Sequence, residues 1–187
     1  MMTGKKKKRF LGVDPGTNVL GYAVLEISGQ QISVVEIGVV TMSHLEDHHQ
    51  KLRRIFERIQ ELIVLHQPDE MAIEAPFFGK NIQSMLKLGR AQGVAIAAAM
   101  SKNLLVTEYA PRKIKQSITG KGSATKEQVA AMLETLLSTR LDEHTLDATD
   151  ALAAAVCHHF QSSSPLSGKS TLKGWADFIK KNPGKVK

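Results

Sequence analysis

A single cysteine, Cys157, is all the chain contains, which excludes an intrachain disulfide and leaves that thiol, set in an apolar segment, as a small buried hydrophobe. Aromatic residues make up only 5%, so the core must be built from aliphatic side chains and alanine. No apolar run approaches the roughly 20 residues that a membrane-spanning helix requires. The basic run Lys5–Arg9 has the charge of a signal-peptide start, but the apolar stretch behind it is broken at once by Asp14-Pro15-Gly16. These absences set the expectation of a cytoplasmic protein with no membrane association. Acids are in deficit as well: 18 against 25 Lys and Arg, a net charge of +7. A basic excess of this size favours polyanionic partners, either nucleic acid or anionic membrane, over solubility alone, and the decision rests on where the charge lies.

At 187 residues the chain is long enough for one domain with a full core. The pattern predicts a basic, solvated segment over 1–8, a folded domain over 9–160, and a linker with a basic tail over 161–187. That tail carries Trp175, Phe178 and Ile179 among its lysines and matches no motif. Arg9–Gly16 is an apolar run ending in an acid ahead of a Pro-Gly turn signal. Gly21–Ile27 and Gln31–Met42 read as strands joined by a Ser28-Gly29-Gln30 turn, giving an antiparallel meander. Asp47–His66 changes to helical spacing, with Leu52, Ile55, Phe56, Ile59, Leu62 and Ile63 on one stripe. Glu70–Glu74 follows as a strand, and a strand, a helix and a strand make a right-handed crossover that sets it parallel to an earlier one. A helix over about 81–102 carries Gly89, Gly93 and Ala97 at four-residue spacing, a surface for close packing within the chain or against a second copy. A strand at Leu104–Tyr109, a short helix from Pro111 to about Ile118, a helix capped at Thr125 and a last helix from Asp147 to about His159 complete the expected elements.

Acids end the apolar runs at Asp14 and Glu74, and Asp147 and Asp150 share a face at the mouth of the last helix. A capping role accounts for one acid at a helix N-terminus, but not for acids that end buried strands. If the four converge, each close carboxylate pair costs up to about 4 kcal/mol at roughly 4 Å and an effective dielectric near 20. Divalent cations relieve that repulsion, and oxygen ligands without Cys or His favour Mg²⁺, or Mn²⁺, over zinc. Two such ions about 4 Å apart serve in-line phosphoryl displacement. A glycosidase needs two carboxyl groups, not four.

The segments Phe10-Leu-Gly-Val-Asp-Pro-Gly16, Ala72-Ile-Glu-Ala-Pro-Phe77, Lys87-Leu-Gly-Arg-Ala-Gln-Gly-Val-Ala95, Gly122-Ser-Ala-Thr-Lys-Glu-Gln-Val129 and Asp147-Ala-Thr-Asp-Ala-Leu-Ala153 resemble the RuvC family of Holliday junction resolvases over roughly 9–160. The resemblance implies an α/β, RNase H-like fold with a five-stranded mixed sheet flanked by helices. It implies a homodimer that makes paired Mg²⁺-dependent nicks in a four-way DNA junction, with two ions per site and a branch-migration helicase complex as partner. It places Asp14, Glu74, Asp147 and Asp150 as catalytic and metal-binding acids, Phe77 as a base-stacking aromatic, and Lys115 and Lys126 near the scissile phosphate. Lys80, Lys87, Arg90, Arg112 and Lys121 are further candidates for phosphate contacts, each weighed against an ordinary solvated charge. Two rival readings are an inactive junction-binding module and an actin-like or sugar-kinase-like ATPase. The ATPase is disfavoured because a second phosphate loop and a second domain are not visible.

Overall fold

The computed structural model describes residues 7–76, 81–141 and 146–163. A five-stranded sheet has the order β3-β2-β1-β4-β5, with β1 at Lys8–Asp14, β2 at Val19–Ser28, β3 at Gln31–Thr41, β4 at Glu70–Glu74 and β5 at Leu105–Tyr109. The first three strands are antiparallel, as the short turns between them require. β4 then lies parallel to β1, and β5 parallel to β4. The expected meander and crossover are both present. The crossover places the carboxyl ends of β1, β4 and β5 at one edge of the sheet.

Strand alternation divides the core in two. Leu11, Val13, Met71 and Ile73 face α1 (His48–His66) and α2 (Ile82–Met100). Phe10 and Ala72 face α3 (Pro111–Thr119), α4 (Lys126–Leu137) and α5 (Leu146–Ser163). Helix ends follow local chemistry. Asp47 caps α1 by accepting from the His49 and Gln50 amides, Asn81 caps α2 through the Ser84 amide, and Thr125 with Gln128 forms a capping box on α4. Pro111 opens α3, and Gly120, at φ 76°, closes it in the left-handed conformation.

α5 is the central helix of its layer. Every residue from Ala148 to His158 except Asp150 is buried, and fully enclosed Leu152 is the kind of side chain whose truncation to Ala costs about 2–5 kcal/mol. Two strand glycines let α5 lie against the main chain: a Cβ at Gly12 would stand 2.1 Å from the Ala151 carbonyl oxygen, and one at Gly21 would stand 2.0 Å from that of Asp147. α5 runs on to Ser163, past the expected end near His159, because Phe160 still packs on the core and carries the helix into the expected linker. Of the two roles open to the small-residue stripe of α2, packing within the chain is not seen at Gly89 and Gly93. A Cβ on Gly89 or Gly93 meets nothing within 4 Å, because α2 turns its Ala91, Ala95, Ala98 and Ala99 side inward instead.

Candidate functional site

The site forms where three elements end together. Asp14 is the last residue of β1, two beyond Gly12, and alternation puts its carboxyl on the α5 side of the sheet. Glu74 is the last residue of β4, paired with Tyr109 on β5, and it lies on the same side as Ala72. Asp147 and Asp150 enter from the first turns of α5. Carboxylate oxygens of Asp14, Asp147 and Asp150 lie within 4.8 Å of one another. That spread is close to the roughly 4 Å across an octahedral Mg²⁺ shell, and the donors are all hard oxygens. Glu74 stands outside this trio but shares a cavity of about 590 Å³ with Asp14 and Asp150.

The surroundings disfavour the ionised forms of Asp14 and Glu74. Burial, then the charges of Glu74 and Asp150, push Asp14 up to about 8. Burial, then Asp150, push Glu74 up to about 7. Below these values each carboxyl holds a proton that a cation would displace. The arrangement fits the metal ions expected from the acids alone.

Cations rim the same cavity. Arg112 and Lys115, on α3, and Lys126, at the start of α4, line it together with Ile114, Val129 and Ala153. The Lys126 ammonium donates to the Asp150 carboxylate, which makes it part of the acid cluster and not only a basic neighbour. Lys87 and Arg90 fall elsewhere. They are exposed on α2, where their charges hold His48, at the start of α1, below its ordinary protonation range after burial has already lowered it. Lys121 lines a separate groove with Thr119 and Gln128. Phe77 and Lys80 lie outside the described residues, as does the tail beyond Ser163. Gly12 and Gly21 were not singled out from the sequence. Glycine inside an otherwise apolar strand is the signal that was there to read, since it marks a close main-chain approach.

An RNase H-like sheet with a carboxylate-lined, cation-rimmed cleft at its strand ends defines a metal-dependent nuclease. The family described as crossover junction endodeoxyribonuclease RuvC matches residues 10–158. The RuvC protein of Cytophaga hutchinsonii is 60% identical over 95% of this chain and 87% of its own length. That of Porphyromonas gingivalis is 54% identical over 97% of this chain and 98% of its own. The chain belongs to the RuvC family of crossover junction endodeoxyribonucleases. Among solved structures, T. thermophilus RuvC in complex with Holliday junction substrate aligns at a TM-score of 0.77 and 31% identity, covering 83% of this chain and 94% of that one. A yeast mitochondrial Holliday junction resolvase, at 12% identity and a TM-score of 0.62 over 80% of this chain and 77% of its own, shares the fold. Among the described residues, no helix is long and apolar enough to cross a membrane.

Proposed function

We propose that this chain resolves four-way DNA junctions in recombination and repair by paired, symmetric, Mg²⁺-dependent nicks, with Asp14, Glu74, Asp147 and Asp150 as the metal-binding acids. The observation that carries the reading is the meeting of Asp14, Asp147 and Asp150 oxygens within 4.8 Å, beside Glu74 in a cleft rimmed by Arg112, Lys115 and Lys126. Mg²⁺ held by these acids would supply Lewis-acid stabilisation of phosphate charge and activation of a water. Two ions match four carboxylates in charge, and Mn²⁺ suits the same oxygen donors.

The chain's own groups do the rest. Asp14 and Glu74, held at fixed positions by the strand ends, would give up their protons to a bound cation. Lys126, Lys115 and Arg112 draw the DNA backbone into the cleft and balance its charge. Lys87, Arg90 and Lys121 lie beyond the cleft and suit contacts with phosphates of the junction arms. The resemblance gives Phe77 a base-stacking role, worth about 1–3 kcal/mol per stacked base, and gives Lys80 a phosphate contact.

Paired nicks require two sites related by a two-fold axis, and we assign the dimer contact to the outward face of α2. Ile82, Leu86 and Met100 are 71%, 53% and 63% exposed, and Gly89 and Gly93 offer open backbone between them. A branch-migration helicase complex as partner and a cytoplasmic location follow the family resemblance. The folded unit is taken as 9–160, with a basic N-terminal segment and the 161–187 tail appended.

The test is incubation of the protein with a synthetic four-way junction and with linear duplex, with and without Mg²⁺, and separation of the strands on a denaturing gel. Symmetric nicks only in the junction and only with metal support the reading. Binding without cutting at every metal concentration makes the chain an inactive junction-binding module instead.

A further inference from the structure

Asp147 and Asp150 lie at one end of α5, and nothing within the acid cluster itself fixes how far the helix slides along the sheet. The seat of α5 is smooth. Ala151 and Ala155 rest on Gly12, and the Asp147 and Ala148 main chain rests on Gly21. Contacts of this kind set the distance between helix and sheet closely but interdigitate little, so they resist sliding weakly.

Beyond the acids, a buried histidine interrupts this face. His158 stands on the same stripe of α5 as Asp147, Asp150 and Ala154, three turns further along, and is 4% exposed. Its Nδ1 lies 2.8 Å from the Tyr109 hydroxyl and its Nε2 lies 3.0 Å from a Glu70 carboxylate oxygen. A carboxylate only accepts, so Nε2 carries the proton and donates to Glu70, while Nδ1 accepts from Tyr109. The ring is also held edge-on by Phe10, with centroids 4.8 Å apart, and Glu70 is held in turn by Lys8 at 3.7 Å. Three strands therefore grip one side chain of the helix.

Those grips lead back to the acids. Tyr109 is the register partner of Glu74, and its carbonyl accepts from the Ala75 amide at 2.9 Å, directly beyond Glu74. Asp14 ends the strand that carries Phe10. We infer that His158 is a positioning residue for the metal site: its hydrogen bonds to Tyr109 and Glu70 fix the axial placement of α5, and so the placement of Asp147 and Asp150 opposite Asp14 and Glu74. It touches neither substrate nor metal. Burial holds its imidazole below the ordinary range, which keeps the neutral, one-donor, one-acceptor form that the two partners need. The inference rests on the metal-binding assignment of the four acids.

The test uses the full chain and four readouts on His158→Leu, His158→Gln and Tyr109→Phe: Mn²⁺ binding by calorimetry without DNA, junction affinity without divalent ions, single-turnover cleavage, and thermal stability. His158→Leu and Tyr109→Phe should both weaken Mn²⁺ binding and slow cleavage by roughly tenfold or more, as a displacement approaching 1 Å does, while junction affinity changes less than about twofold, since the phosphate contacts are untouched. His158→Gln keeps a donor and an acceptor and should recover most of the Mn²⁺ affinity. Lower thermal stability with unchanged Mn²⁺ affinity in the variants overturns the inference and makes His158 a core residue only. Tyr109→Phe, which deletes one oxygen, decides the matter if His158→Leu does not fold. Failure of the unsubstituted protein to cut junctions removes the resolvase reading, whereas the Mn²⁺ arm judges the positioning role independently.

Discussion

Gly21 lies directly opposite Asp14 in the β1–β2 ladder, and the carbonyl oxygen of Asp147 sits over it, where a Cβ would come to 2.0 Å. The two acids thus meet because a strand residue between them has no side chain. Gly21→Ala should lift the N-terminus of α5 off the sheet, destabilise the fold by about 1–3 kcal/mol and lower cleavage by an order of magnitude or more. Denaturant titration and single-turnover kinetics read the two effects. Wild-type cleavage in a stably folded Gly21→Ala protein argues against this dependence.

Asp14→Asn should abolish cutting and leave junction binding within about twofold, because phosphate contacts come from the cations and not from Asp14. It should also stabilise the metal-free protein. The folded Asp14 carboxyl is raised from 3.8 to about 8, so the folded state holds the extra proton between those values. The unfavourable ionisation is absent below the unfolded value and grows as pH rises through the folded one. The gain in thermal stability of Asp14→Asn over the parent should therefore be small at pH 4 and reach at least about 1 kcal/mol at pH 8. Equal gains at both pH values contradict the assignment.

Metal binding should release protons. Asp14 at about 8 and Glu74 at about 7 must both ionise to bind a cation, so Mg²⁺ or Mn²⁺ affinity should rise steeply from pH 6 to pH 8, by up to about tenfold per unit for each proton displaced. Calorimetry in buffers of different ionisation enthalpy counts those protons. A pH-independent affinity shows that the two acids are not ligands.

The two groups of cations should behave differently. Lys126→Ala removes the partner of Asp150 and a phosphate contact inside the cleft, so it should reduce the cleavage step itself by roughly 10²-fold. Lys87→Ala and Arg90→Ala should weaken junction binding and reduce the salt slope by about one each, with the rate from saturated complex unchanged. Filter binding across salt concentrations and single-turnover rates separate the two classes.

If α2 is the dimer contact, Leu86→Glu should give a monomer by sedimentation with little loss of thermal stability, because Leu86 is 53% exposed in the single chain. The monomer should nick one strand and lose the coordination of paired cuts. An intact dimer with Leu86→Glu moves the interface elsewhere.

Much of this site was legible in the sequence because it rests on period and punctuation. An apolar run that ends in an acid is visible without coordinates, and so is the helical spacing that sets Asp147 and Asp150 on one face. The strand meander, the crossover and the caps at Asp47 and Thr125 follow the same local rules. What was not legible depends on pairs of elements. The inward side of α2 could not be told from its Gly89-Gly93 stripe, since glycine spacing marks a smooth surface but not what lies against it. The Tyr109–His158–Glu70 bridge joins three elements separated by long stretches of chain, and no local pattern links them. Lys87 and Arg90 belong to one of the family-like segments, yet the helix carries them away from the cleft to the His48 end of α1.

The seat under α5 is made of main chain at Gly12 and Gly21, and every protein has the same main chain. The distance between helix and strands is therefore set at these two points by backbone against backbone. At both positions the sequence has no room to vary, since even one added methyl group would meet a carbonyl oxygen of the helix.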